Sequence, residues 1–146
     1  MSTAVLDIQK AKIANLQELI IEAAKYNKTP QYINTHHFAP GIYMRAYFGV
    51  EDSVVVSQVH LHEHLTILAA GHCRVISTMQ DKERIDVYKD FAIMNTPSLT
   101  KRVLYFLENT TILTVHSNPD NIRDIAELER MFVVDNFEDL EQCQWQ

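Results

Sequence analysis

Between residues 41 and 116 the chain breaks into eight short runs rich in Val, Ile, Tyr, Phe and Thr, and this pattern constrains the fold more than any other feature. Branched and aromatic side chains suit a pleated, half-buried surface. The runs cover 42–48, 53–61, 64–69, 72–77, 84–88, 91–95, 102–107 and 110–116. Turn signals separate them: Gly49 with Glu51-Asp52, Ala70-Gly71, Gln80-Asp81-Lys82, Tyr88-Lys89-Asp90, Thr96-Pro97 and Glu108-Asn109. Links this short join antiparallel neighbours, because a parallel crossover needs a much longer connection. The expectation is a mainly β fold, a small antiparallel barrel or double-sheet jelly roll that removes its edges by closing on itself.

The flanks follow a different period. Leu6, Ile13, Leu16, Ile20 and Ala24 recur at three- and four-residue spacing, with Glu18 and Glu22 on the opposite side. This predicts an N-terminal amphipathic helix packed on the domain, ended by Asn27 and Pro30. An irregular lead-in follows, in which His36 and His37 take surface or packing roles. After the strands, Ser117-Asn118-Pro119-Asp120 reads as a helix start, with Ile122, Ile125, Leu128 and Phe132 on one stripe. The chain of 146 residues is thus one domain in three zones: 1–40, helix and lead-in; 41–116, β-barrel; 117–146, C-terminal helix and an acidic tail carrying Trp145.

Composition removes several function classes. With 47% apolar and 22% charged residues, the chain belongs with folded globular proteins. No apolar run is long enough to span a membrane as a helix. A net charge of −6 argues against nucleic acid as a partner, since such binding rests on Lys and Arg. Two cysteines, Cys73 and Cys143, make no disulfide framework, and no leader pattern precedes the first helix. The expected setting is reducing and intracellular. Three glycines cannot build a phosphate-cradling loop. No serine lies in a nucleophile-elbow context, and Cys73 reads as a buried structural thiol.

The histidines carry the chemistry. Gln58-Val59-His60-Leu61-His62-Glu63-His64 gathers imidazoles and a carboxylate, the usual ligands of Zn, Fe, Mn and Ni. In one continuous strand His60, His62 and His64 share a face. With a turn after His60, His60 and His64 converge instead from two adjacent strands. His116 ends the last run, as a distant ligand or, the preferred reading, as the residue leading into the helix beside Ser117. Arg45 and Arg102 are suited to an anionic group, because guanidinium presents a rigid fork of donors. Lys101 and Tyr105 complete that second constellation, with Tyr105 as a proton donor or a packing residue.

The segment ending at Gly71 resembles the first motif of the cupins, with His64 at the glutamate position, His60 at the second histidine and Gln58 at the first. The stretch from Thr96-Pro97 to Tyr105 resembles the second motif, with Lys101 and Arg102 where a cupin has its last histidine. The run His60-x-x-Glu63-His64, Gly71, Pro97, Lys101-Arg102-x-x-Tyr105 and Thr114-Val115-His116 resembles small cupin-like proteins of tailed bacteriophages. The resemblance implies a cupin-like jelly roll over roughly 41–132. It also implies a reduced site of His60 and His64, completed by Gln58, Glu63 or His116, holding one divalent ion or none.

Three functions fit these residues. The preferred one is a phage-type binding or structural module, as a virion component, host-factor binder or ligand-sequestering protein. The incomplete ligand set and the extra termini favour it. It would act in the cytoplasm of an infected host cell or in the virion, as a homo-oligomer with other phage proteins or a small anionic ligand as partners. The second is a metal-dependent enzyme of the dioxygenase or isomerase class, with His60 and His64 on the ion. The third is a metal-free enzyme resembling the sugar epimerases, using His60, Lys101 and Tyr105.

Overall fold

A computed structural model describes residues 32–79 and 82–140. Its strands in chain order are β1 (Tyr32–Ala39), β2 (Gly41–Gly49), β3 (Val54–Val56), β4 (Val59–His60), β5 (His64–Ala70) and β6 (His72–Thr78). There follow β7 (Glu83–Lys89), β8 (Ala92–Thr96), β9 (Lys101–Phe106), β10 (Thr110–Asn118), one α-helix among the described residues, α1 (Ile125–Phe132), then β11 (Val133–Val134) and a 3-10 turn (Phe137–Asp139). Every strand pair is antiparallel. The N-terminal helix expected from the sequence and the end of the acidic tail, with Trp145, lie outside the described residues.

Two sheets form the body, a five-stranded one ordered β1-β2-β10-β5-β8 and a four-stranded one ordered β3-β9-β6-β7. The short β4 and β11 pair with each other. Leu68 and Ile112 from the first sheet meet Cys73, Val75 and Phe106 from the second in one apolar cluster. This is sandwich packing, with the inward residues of each strand alternating against outward ones. No ladder joins the two sheets, so the closed barrel expected above is an open sandwich among the described residues. Its edges are protected otherwise: β3 is only three residues long, and β7 carries Glu83, Arg84, Asp86 and Lys89.

Three other expectations change. The lead-in before residue 41 is strand from Tyr32 onward, because its backbone finds a full antiparallel register on β2. The run 53–61 is two strands, not one. At its break Ser57 donates its backbone N–H to the Arg102 carbonyl, and its hydroxyl accepts the Arg102 N–H at 2.9 Å. The helix does not start at Ser117. β10 continues to Asn118, whose buried amide accepts the Ile122 N–H at 3.1 Å and donates to the Ile122 carbonyl at 2.9 Å. That clamp holds a loop, with Asn121 at φ +53°, and the helix begins after Asp124, which accepts the Glu127 N–H.

α1 buries Leu128 and Phe132 against Tyr43 and Val133, with Phe38, Ile122 and Ile125 around them. This second apolar cluster lies at the other end of β10 from Ile112. On the outer face of the five-stranded sheet Ile33, Phe48, Leu65 and Ile93 stay exposed.

Gly71 carries the turn between β5 and β6 at φ +105°, and a Cβ there would meet the Asn109 carbonyl oxygen at 2.6 Å. Gly41 has φ +74° but open space around it. Gly41→Ala therefore pays only the left-handed penalty, about 1 kcal/mol. Gly71→Ala adds a backbone clash and is expected to cost about 2–4 kcal/mol. Urea titration of both variants checks this; equal costs would contradict it.

Candidate metal centre

β4 and β5 present His60 and His64 from two strands, with the exposed His62 and Glu63 in the turn between them. The intervening turn, rather than one continuous strand, is thus what the backbone adopts. His60 is fixed at three sides. It pairs with Val133 of β11, its N–H donates to the Thr100 carbonyl at 3.0 Å, and its carbonyl accepts the Leu99 N–H at 2.6 Å. Leu99 sits at φ +60°, a left-handed conformation that a leucine seldom adopts.

On β5 the period of two sends His64, Thr66 and Leu68 inward. β10 sends Ile112, His116 and Asn118 inward in the same way. The β10–β5 register runs to Val115 opposite Leu65, so His116 follows beside His64. His64 and His116 are 6% and 7% exposed. Their ring centroids are 4.5 Å apart, and the His60 ring is 4.5 Å from that of His64. One donor atom from each of the three imidazoles lies within 4.8 Å of the other two.

Electrostatics keep all three rings neutral. Burial, followed by the neighbouring imidazoles and the Arg102 and Arg45 charges, lowers His60 to about 3. Burial, then His64 and Arg45, lowers His116 to about 3. His64 is also lowered, chiefly by burial, with its bond to the His62 carbonyl opposing. That bond, 3.0 Å from Nδ1, places the ring proton on Nδ1 and leaves the Nε2 lone pair for a ligand. On one side the Phe132 ring stacks on His116 at 4.7 Å, and Tyr43 stacks on both His116 and Phe132.

Of the other sequence-selected residues, only His116 joins the cluster. His116 is in the cluster and not a residue leading into the helix, because the strand continues past it. Gln58 donates to the Asp135 carboxylate at 2.8 Å, and Glu63 is exposed and outside the group of converging donors. Arg45 pairs with Glu129 of α1 at 3.2 Å and donates to the Tyr43 hydroxyl. On β9 the period of two separates the second constellation. Arg102 faces the interior with Phe106, whereas Lys101 and Tyr105 fall on the opposite face. Lys101 donates to the Asp135 carbonyl at 2.6 Å and to Asn136, and Tyr105 donates to Asp52. His36 bonds the Tyr43 hydroxyl and His37 bonds Thr35, as packing residues do. Cys73 is buried, and burial pushes its thiol up to about 12, so it is no nucleophile at neutral pH.

Phe132 stacks on the cluster, and the Arg102 charge acts on His60 and His64. Arg102 was visible as a candidate anion ligand; Phe132 was visible only as part of a helical stripe.

No protein-family model matches this sequence, and no curated protein matches it. Among solved structures the chain is similar to hydroxypropylphosphonic acid epoxidase from S. wedmorenis, with TM-score 0.51 and 8% identity over 61% of this chain and 52% of that one. It is equally similar to Fe(II)-HppE with the alternative substrate (S)-1-HPP, with TM-score 0.51 and 8% identity over 62% and 51%. FeII HppE in complex with substrate gives TM-score 0.50 and 9% identity over 60% and 55%. The chain spans about half the length of these proteins. The likeness is one of fold, and the fold is cupin-like.

The lowered imidazoles set a pH dependence for the metal-free protein. Well above pH 6.5, about the unperturbed imidazole value, His60 and His116 are neutral both folded and unfolded and contribute no pH dependence to stability. Below it the unfolded chain takes up protons that folded His60 and His116 refuse until about pH 3. Stability therefore falls as pH drops through this window. Urea midpoints should decline steadily from about pH 6 to pH 4, and less steeply in a His60→Gln/His116→Gln variant. Parallel curves for the two proteins would contradict the assignment.

Proposed function

We propose that this protein is a divalent-metal-dependent enzyme of cupin-like fold, in the dioxygenase or isomerase class. His60, His64 and His116 hold the ion. The observation that carries the reading is the convergence of three buried or partly buried neutral imidazoles, drawn from three strands, with donor atoms within 4.8 Å of one another. Neutral imidazole is the ligating form, and an all-nitrogen set suits Zn, Fe and Ni. Mn, which prefers oxygen donors, fits less well. With no carboxylate among these donors, a bound ion keeps its full positive charge and supplies Lewis acidity toward an oxygen-bearing substrate or water.

The chain's own residues do the rest. The His62 carbonyl holds His64 in the tautomer that offers Nε2. Phe132, Tyr43 and Leu128 pack one side with apolar surface and exclude water there. The side toward Arg102 is polar, with Thr66 and Thr96 next to His64 along β5 and β8. The metal-free epimerase reading lacks its constellation, since Lys101 and Tyr105 are engaged away from His60. A phage-type binding module, assembled as a homo-oligomer, is the second reading. The exposed apolar outer face of the five-stranded sheet favours it, because patches of this kind mark contact surfaces.

Elemental analysis of untagged protein decides between them. The enzyme reading expects about one ion per chain and at least a tenfold loss of metal affinity in each of His60→Ala, His64→Ala and His116→Ala. Glu63→Gln and Gln58→Ala should keep wild-type affinity. A metal-free wild type, or full occupancy in the triple alanine variant, overturns it.

A further inference from the structure

The open edge of the sandwich holds a cavity of about 350 Å³, where β7 and β8 face each other across the two sheets. That volume is in the range of small-molecule sites. Arg102 reaches into its wall from β9. Its Nε donates to the Ser77 hydroxyl at 3.1 Å, and its Nη1 donates to the Thr96 and Thr66 hydroxyls at 2.8 and 3.3 Å. All three partners are neutral. The two N–H groups of Nη2 have no acceptor among the described residues, although a guanidinium offers five donors.

A cation in the interior calls for a counter-charge. The ion pairs among the described residues are Arg45 with Glu129 and Arg84 with Asp86, so none involves Arg102. Asp86 lines the same cavity but is held by Arg84 at 2.6 Å. Lys82 lines the cavity as well, and adds a second positive charge at the rim. The charge of the lining is therefore net positive, with Arg102 innermost. Met79 and Met94 add apolar surface to the lining.

We propose that this cavity binds a small organic anion, with a carboxylate or phosphate group on Nη2 of Arg102 and a short apolar body against Met79 and Met94. The position gives the anion a role, which rests on the metal-enzyme reading above. Thr96, which bonds Arg102, is the register partner of His64, and Thr100, another lining residue, bridges to His60. The wall that anchors the anion is thus built from strand partners of His60 and His64, although the three imidazoles themselves do not line the cavity. On the metal-enzyme reading the anion is the group by which the substrate of that centre is held. Each N–H group of Nη2 can give the anion one charge-assisted hydrogen bond, while Nε and Nη1 stay anchored on the three hydroxyls.

Calorimetric titration of metal-free protein with two probes, inorganic phosphate and butanoate, tests the site. Saturable binding of at least one probe near one per chain is expected, weakened tenfold or more in Arg102→Gln. Lys89→Gln, an exposed charge outside the cavity, should leave it unchanged. Absence of saturable binding, or equal affinity in Arg102→Gln, overturns the proposal. If Arg102→Gln does not fold, Lys82→Glu serves in its place: a threefold or greater weakening supports the site and unchanged affinity overturns it. Metal content of the same preparations separates the two readings. Metal without anion binding defeats the cavity alone, and anion binding without metal defeats the enzyme reading while leaving an anion-binding cavity.

Discussion

β10 is paired along its length with β2 on one side and with β5 on the other, and most of the interior depends on that double pairing. Its inward residues run from Thr110 through Ile112 and His116 to Asn118. Ile112 closes the apolar cluster between the sheets, and His116 stands against His64 and Phe132. Asn118 clamps the loop that aims α1 back over Tyr43. A slip of one residue would turn all of these outward, because side chains alternate across a strand. One register therefore fixes the core, the histidine cluster and the path of the C-terminal segment together.

The interior is layered by polarity. One apolar cluster fills the space between the sheets, and a second lies beneath α1. Between them sit the three imidazoles and the Arg102 guanidinium, with Thr66, Thr96 and Ser77 supplying hydroxyls. Polar groups of this kind are stable inside a protein only when partnered. Each of the three hydroxyls has its bond to Arg102, and His64 has its bond to the His62 carbonyl. The donor capacity left over is concentrated on the ring nitrogens and on one face of the guanidinium. The middle of the molecule thus has the chemistry of a site, and the two ends have the chemistry of a core.

Much of this was legible from local pattern. Alternating β-branched runs gave seven of the strands nearly in place, and the spacing of Ile125, Leu128 and Phe132 gave the helix stripe. His60 and His64 drew attention because they are close in sequence. His116 was harder, since its neighbourhood to His64 is set by the β10–β5 register and by no local signal. The Ser-Asn-Pro-Asp run misled because Asn118 can cap a helix or clamp a loop with the same amide, and only the tertiary position of Ile122 decides which. β1 lacked a strong pattern because the residues on its Phe38 face, Asn34 and His36 among them, are of mixed polarity and largely exposed. Lys101 and Arg102 are adjacent in sequence and so lie on opposite faces of β9, which a motif written along the chain does not express.

The sequence distances within the histidine cluster carry a kinetic consequence. His60 and His64 are joined by a short turn and can meet early. His116 joins them only when β10 has docked between β2 and β5, a pairing that spans most of the described chain. Long-range strand pairing is slow, because the chain must close large loops before any contact rewards it. A three-imidazole grip thus exists only late in folding, after the sheet is complete. An ion held there would strengthen the finished molecule without guiding its assembly. Its effect would fall on the rate of unfolding rather than of folding, and the life of the native state would become a measure of occupancy.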